Sequence, residues 1–140
     1  MNTYSIQLLL GHSRCDTVDE NIFVLAEIMP TSNITYNQSE ELLKSSIDLK
    51  EYNLNDGDII NIGFTINCKG EDFDYKVFQP VDITLQKKII QIIRENMDWT
   101  PAKRRNREVD FQKIISIRID SNQFNVLDEK EMKKHIRKNK

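Results

Sequence analysis

Residues 60–67 read INIGFTIN, and this stretch decides the fold of the chain. Its isoleucines and its phenylalanine occupy every second position, with asparagine, glycine or threonine between them. Such alternation is typical of a β-strand with one buried face. A reversal at residues 69–70 follows, and then Phe73, Tyr75 and Val77 alternate with charged residues to form a second inward face. The two stretches together predict a β-hairpin.

Helical spacing marks the segments on either side of this hairpin. The later segment predicts an amphipathic helix that ends near Met97, because Pro101 cannot continue it. Its apolar face is formed by Leu85, Ile89, Ile92 and Ile93. The earlier segment predicts a shorter helix with Asn37 or Ser39 as its N-cap. The apolar side of that helix is formed by Leu42, Leu43, Ile47 and Leu49.

The remaining strands follow from the same alternation. Residues 22–29 predict one strand, and a long strand follows the second helix, with Lys113 near the rim of its apolar face. That face is formed by Val109, Phe111, Ile115, Ile117 and Ile119. Residues 123–127 predict a short further strand, whereas residues 1–21 show no clear period. This order predicts an α+β fold, an antiparallel three- to four-stranded sheet with two helices packed on one face.

The composition indicates one domain and no affinity for nucleic acid. The chain has 140 residues, 39% of them hydrophobic, which is enough for a single modest core. Its net charge of -2 gives no general attraction to nucleic acid. We assign residues 1–127 to the domain and residues 128–140 to a basic, frayed tail, since six Lys or Arg outnumber three acids there. No run approaches the ~20 apolar residues of an integral membrane segment.

No catalytic or metal-binding pattern is visible. His12 and His135 lie at opposite ends of the chain, without the spacing of metal ligands or of a catalytic triad. We therefore expect no enzyme activity, no cofactor and no metal. Cys15 and Cys68 are compatible with one disulfide or with two free thiols. The basic residues within 103–107 fit a solvated loop better than a phosphate site, because no aromatic residues are interleaved with them.

Residues 99–103 read WTPAK, directly after the second predicted helix and before a basic turn and an isoleucine-rich strand. In this the chain resembles the C-terminal domain of the TonB family, where a helix ends in a Trp-x-Pro-Ala or Trp-x-Pro-Gly motif. The resemblance extends over about residues 22–120 and includes the central hairpin. The resemblance implies that Trp99, Pro101 and Ala102 have structural roles. We expect Trp99 to pack the helix end against the sheet.

The resemblance implies a protein-binding module of the periplasm with a role in transport. It would recognise an extended peptide, the TonB box of a TonB-dependent outer-membrane transporter, by strand addition at its last strand. Carried onto this chain, the binding edge runs along residues 110–119. The alternatives are that Lys113 and Arg118 protect this edge, or that it pairs with residues 123–127. The residues on the parity opposite to the core are Asp110, Gln112, Ile114, Ser116 and Arg118.

A second hypothesis starts from what the chain lacks. A complete TonB has a membrane anchor and a proline-rich spacer, whereas this chain shows neither and has three prolines. The alternative is a stand-alone interaction protein, such as an inhibitor or immunity-type protein, which reuses the fold and forms a homodimer. The expected location is the periplasm if an export leader has been removed, and the cytoplasm otherwise.

Overall fold

The computed structural model describes residues 3–6, 13–15, 22–78 and 81–127, with the backbone alone for residues 3–6. The elements in chain order are β1 (Thr3–Ile6), β2 (Thr31–Ser32), α1 (Tyr36–Ser46), a 3-10 turn (Leu49–Glu51), β3 (Ile59–Ile66), β4 (Asp72–Phe78), α2 (Ile83–Asn96), β5 (Trp99–Thr100), β6 (Ala102–Arg104), β7 (Arg107–Val109), β8 (Phe111–Asp120) and β9 (Gln123–Val126). The prediction of a frayed tail at residues 128–140 lies outside the described residues.

The main sheet contains five antiparallel strands in the order β1-β4-β3-β8-β9. The predicted α+β class with two helices is therefore confirmed, but the sheet is wider than the three to four strands expected. The short strand expected at residues 123–127 is present as β9. The additional strand is β1, which comes from the segment without periodicity and pairs with β4 at the far edge.

One face of the sheet carries both helices and the main core. This core contains apolar residues of α1 and α2 together with Ile60, Ile62, Phe64 and Ile66 of β3 and Ile115, Ile117 and Ile119 of β8. Fully buried residues of this core include Ile60, Ile62, Ile66, Tyr75, Leu85, Ile89 and Ile117. The alternating apolar residues of β3 and the helically spaced apolar residues of α2 thus pack in one core, as their patterns predicted.

The ends of the helices are set by side-chain caps. The N-cap of α1 is Thr35 and not Asn37 or Ser39, so that prediction was wrong. Thr35 Oγ1 accepts from Gln38 N at 3.1 Å, and Gln38 Oε1 accepts from Thr35 N at 2.8 Å. This reciprocal capping box satisfies two backbone donors, Thr35 N and Gln38 N. A single Asn or Ser side chain at the N-cap would satisfy only one. The helix α2 ends at its C-cap Met97, as predicted.

A bulge in β4 changes the face of one predicted core residue. Asp74 has a positive φ of 55°, and the register with β3 shifts between Gly63 and Thr65. Phe73 pairs with Thr65 and therefore lies on the face away from the helices, where it is half-buried. Its predicted place on the inward face was wrong, because the extra residue reverses the parity before Tyr75.

Residues 22–29 do not form the predicted strand. Only two isolated bridges are present, a parallel one from Phe23 to Phe111 and an antiparallel one from Ile28 to Lys103. A small second core gathers every third residue of the segment, rather than every second, under the β6–β7 hairpin. That core consists of Ala102, Val109 and Phe111, with Phe23, Ala26 and Met29 packed against it.

Lys113 lies deeper than its predicted position near the rim. Its exposed fraction is 6%, and its Nζ lies 5.9 Å from the centroid of the Tyr36 ring. The aliphatic stem therefore occupies a core position of β8, and the ammonium group reaches the aromatic ring at the start of α1.

The two cysteines form a disulfide, with Cys15 and Cys68 Cα atoms 5.9 Å apart. The sequence left this choice open. The buried Asn67 side chain strengthens the same junction, because its Nδ2 donates to Ser13 O at 2.9 Å and to Glu71 Oε1 at 2.8 Å. Residues 13–15 are thereby held against the end of β3.

Candidate peptide-binding edge

β8 is not the free edge that the sequence predicted. It pairs with β3 over Ile59–Ile66 on one side, and Ile117 to Asp120 pair with β9 on the other. The alternative that residues 123–127 pair with this strand is the one observed, and Ser121 and Asn122 both adopt positive φ, 50° and 57°. Two successive left-handed residues form a tight hairpin turn, so the chain folds back and covers half of β8.

Asp110, at the start of the predicted edge, is buried inside the fold. It is 3% exposed, and its carboxylate accepts from Arg14 Nε at 3.3 Å and from Cys15 N at 3.1 Å. Its backbone oxygen accepts from Phe23 N at 3.4 Å. Asp110 therefore anchors the N-terminal segment and the Phe23 segment and does not face a ligand.

Three other predicted edge residues also have partners within the fold. Gln112 N donates to Phe23 O at 2.9 Å, and Ser116 O accepts from Leu127 N at 2.9 Å. Ser116 Oγ donates to Asn61 Oδ1 at 2.5 Å. Arg118 pairs with Asn125 in β9, and its Nε donates to Asp120 Oδ2 at 2.5 Å. The five predicted residues do share one side of β8, but these contacts occupy most of it.

Ile114 is the remaining predicted residue, and its side chain is 40% exposed. It lies between the Phe23 contact at Gln112 and the Leu127 contact at Ser116. Its outward backbone groups form no hydrogen bond with any described residue. This opening extends over about three residues, or roughly 10 Å, which is short for an added strand.

The last strand, β9, provides the edge at this end of the sheet. Because Gln123 and Asn125 point their backbone groups toward β8, alternation points those of Phe124 and Val126 away from it. Val126 N donates to Glu40 Oε1 at 2.7 Å, which confirms the outward direction. No described residue hydrogen-bonds the backbone N–H or C=O of Phe124. The backbone of Phe124 is therefore unpaired, although the residue is only 1% exposed, and Val126 is closed by a carboxylate.

A shallow groove of about 570 Å³ adjoins this edge. It is lined by residues 44–49, Glu51, Lys88 and the β8–β9 turn at residues 122–124. Two lysines and two carboxylates face it, so its charges are balanced. A hydrogen bond to the Tyr52 hydroxyl raises the pKa of Lys88, whose Nζ lies 5.6 Å from the Tyr52 ring centroid. The groove thus offers polar contacts beside β9, at the point where the backbone of Phe124 is unpaired.

The three residues on which the TonB resemblance rests lie at least partly inside the fold. Trp99 is 9% exposed and belongs to the main core, with its ring centroid 5.5 Å from that of Phe64. It therefore packs the end of α2 against the sheet, as expected. Ala102 is fully buried in the second core, and Pro101 is half-buried between the short strands β5 and β6.

Two residues that shape the edge were missed by the sequence analysis. Glu40 lies in α1, and Arg14 lies in the N-terminal segment that shows no clear period. Both act over long separations, 86 residues to Val126 and 96 residues to Asp110. No local pattern signals such a contact, because it depends on how the elements are arranged in space.

Neither metal nor membrane features mark the described part of the chain. Among the residues with described positions, no three His, Cys, Asp or Glu side chains cluster as metal ligands. None of the described helices is both long enough and apolar enough to cross a bilayer.

Together these features define a small two-layer α+β protein with a largely buried, partly unpaired sheet edge next to a polar groove. Neither protein-family models nor curated proteins nor solved structures provide a match to the chain.

Proposed function

We propose that this protein is a binding module that takes up an extended peptide segment of a partner protein by strand addition at β9. The observation that carries the proposal is the backbone of Phe124, which points away from β8 beside the groove and has no hydrogen-bond partner among the described residues. Because Phe124 is only 1% exposed, the groove wall at residues 44–49 has to move aside when the peptide pairs. Added strands gain affinity from backbone hydrogen bonds and specificity from side chains that meet neighbouring surfaces. No chemical reaction is involved, and no cofactor or metal is required.

The geometry restricts how such a peptide would bind. A strand of four residues offers few backbone bonds, so contacts with the groove have to supply much of the affinity. The Glu40 carboxylate accepts the hydrogen bond of the Val126 N–H, so this N–H is not available to a peptide. Pairing is therefore limited at the Val126 end of β9. Peptides with polar side chains of both signs suit the balanced charges of the groove, where Lys44 and Lys88 face Asp48 and Glu51.

The resemblance to the TonB C-terminal domain supplies the partner class. We propose the TonB box of an outer-membrane transporter as the ligand and the periplasm as the location. The disulfide between Cys15 and Cys68 supports this location, because disulfides persist in oxidising compartments such as the periplasm. The strand assigned to pairing changes from β8 to β9, which is the last strand of the described chain.

The test is a heteronuclear NMR titration of isotope-labelled protein with TonB-box peptides. We expect saturable shifts of the amides of Gln123 to Val126 and of residues 44–49, with the amides of β3 unchanged. Two peptides, each N-methylated at one of two adjacent residues, form the matched control. Only the one whose N–H points toward β9 should lose binding, because pairing uses alternate donors. Equal weakening of both peptides, or shifts confined to another surface, would reject strand addition at β9.

A specific observation favours a second candidate. The strand that the TonB resemblance assigns to the peptide, β8, is covered by β9 over its second half. A stand-alone interaction or inhibitor protein, homodimeric through its β9 edges, accommodates this difference. Two β9 strands paired antiparallel would form an isologous interface. Sedimentation equilibrium distinguishes the two candidates, since a concentration-dependent dimer that excludes the peptide supports the second.

A further inference from the structure

Exposed aliphatic side chains cluster in the segment that precedes β2. The exposed fractions are 60% for Val24, 75% for Leu25 and 53% for Ile28. Single exposed apolar residues are ordinary, but a contiguous group marks a surface that contacts a protein or a membrane. The chain bends at Val24 and Glu27. Val24 and Leu25 line a shallow concave region of about 520 Å³ together with Arg104.

The basic hairpin β6–β7 lies directly beside these side chains. Ile28 and Lys103 exchange two backbone hydrogen bonds, with N···O distances of 3.2 Å and 2.9 Å. The Arg104 guanidinium carbon lies 4.4 Å from the centroid of the Phe23 ring, next to Val24. Arg105 occupies the hairpin turn with a φ of 53° and is exposed. Apolar and cationic groups therefore share one surface, which we call the loop–hairpin patch.

The local charge of this patch is opposite in sign to that of the whole chain. Residues 103–107 contribute four cations, and the only acids on the described segments 22–29 and 102–109 are Glu27 and Glu108. Glu108 stands directly across the hairpin from Lys103 and offsets part of its charge. Counted without Arg107, which has an interaction of its own, a surplus of one positive charge remains, in a chain of net charge -2.

We propose that the loop–hairpin patch docks onto an anionic lipid surface. Val24, Leu25 and Ile28 enter the boundary between headgroups and acyl chains, while Lys103 and Arg105 contact lipid phosphates. The exposed aliphatic side chains and the cations beside them match the apolar interior and the anionic headgroups of such a surface. Apolar burial together with attraction to anionic lipids is the combination that holds peripheral proteins at membranes. This proposal is independent of strand addition at β9.

Vesicle flotation tests this proposal with the full chain. We expect binding to vesicles of equimolar phosphatidylglycerol and phosphatidylcholine, little binding to phosphatidylcholine alone, and weakening by salt. Leu25→Gln should lower the partition coefficient about tenfold or more, because a buried leucine is lost. Lys103→Gln with Arg105→Gln should lower it by roughly tenfold or more, at about fivefold for each charge.

Two matched variants control for general effects of hydrophobicity and charge. Ile83→Gln alters an aliphatic residue that is 39% exposed on α2, and Lys50→Gln removes an exposed lysine elsewhere. Both should bind as the parent does, and residues 128–140 are the same in every variant. Equal binding to both vesicle types, or equal loss in patch and control variants, would overturn the proposal. Absent vesicle binding, with Leu25→Gln weakening a complex with a protein, would assign the patch to a protein partner instead.

Discussion

Gly70 occupies a position at the hairpin turn that no other residue fits well. Its φ is +82°, and a Cβ placed there would lie 2.3 Å from the Trp99 carbonyl oxygen. Gly57 has a similar φ of +87°, but nothing lies within 4 Å of its Cβ position. The two glycines therefore share the conformational requirement and differ only in the close approach of another backbone.

We expect Gly57→Ala to lower the free energy of unfolding by about 1 kcal/mol, the cost of a left-handed alanine. Gly70→Ala should lower it by about 3 kcal/mol or more, because the backbone at Trp99 must also move. Urea denaturation of both variants measures the difference. Equal losses would show that Gly70 and Trp99 do not approach each other this closely.

Tyr75 links stability to alkaline pH. It is fully buried, its ring stacks on Phe64 with centroids 4.8 Å apart, and its hydroxyl donates to the Asp72 carboxylate. Burial raises the pKa of Tyr75 far above its ordinary value, and the charge of Asp72 raises it further. The folded state thus favours the neutral phenol, and this contribution is complete below the pKa of the unfolded chain, about 10.

Above about pH 10 the unfolded chain loses a proton that the folded chain retains, so stability should fall by about 1.4 kcal/mol per pH unit. Tyr75→Phe should cost about 1–2 kcal/mol near neutrality, because Asp72 loses a donor. Its stability should then fall less steeply in alkali than that of the parent. Denaturation curves at several pH values test this. Parallel pH profiles for parent and variant would show that Tyr75 ionises alike in both states.

At the scale of elements, the open end of the sheet depends on a contact between α1 and β9. Glu40 Oε1 accepts a hydrogen bond from the Val126 N–H at 2.7 Å. It thereby occupies one of the backbone donors on the unpaired side of β9. Blocked edges are a common protection against unwanted pairing between sheets. Glu41, the next residue, faces Lys44 at 3.7 Å on the exposed side of α1 and provides a matched comparison.

Glu40→Ala should destabilise the fold by about 1.5–3 kcal/mol, because a hydrogen bond to a charged acceptor is lost. It should also lengthen the open edge and increase self-association at β9. Glu41→Ala should change stability by about 0.5 kcal/mol or less and leave association unchanged. Denaturation and sedimentation velocity give the two readouts. Association that does not differ between the variants would mean that Glu40 does not guard the edge.

The elements differ in how well their sequences predicted them. β3, α2 and β8 bury long apolar faces against one core, so their periods appear clearly in the sequence. The segment 22–29 makes two isolated bridges and divides its apolar residues between a small core and solvent. β1 has no period of its own, and its place follows from pairing with β4. The candidate edge was placed on residues 110–119 by the resemblance to the TonB family, although the strand at residues 123–127 was also predicted and covers half of it.

At the scale of the whole molecule, the disulfide joins the N-terminal segment to the hairpin. Cys15 and Cys68 are 53 residues apart, and the loop they close limits the freedom of the unfolded chain. On chain-entropy grounds a loop of this length contributes about 4 kcal/mol. Asp110 reinforces the same arrangement through Arg14 and the Cys15 N–H.

Reduction should therefore lower the free energy of unfolding by about 2–4 kcal/mol. The double variant Cys15→Ser with Cys68→Ser should match the reduced parent and should not respond to reductant. Thermal unfolding with and without dithiothreitol measures both effects. If the parent protein is equally stable with and without dithiothreitol, the disulfide between Cys15 and Cys68 is not formed.

The sequence by itself determined the class of the fold, the central hairpin, the second helix and the structural role of Trp99. These follow from periodicity and from short-range stereochemistry, which act between neighbours in the chain. Only the tertiary structure decided which strand forms the edge, that Glu40 closes one end of it, and that Arg14 reaches Asp110. Those contacts join residues 86 and 96 positions apart, and their energies depend on spatial arrangement, which no local pattern records.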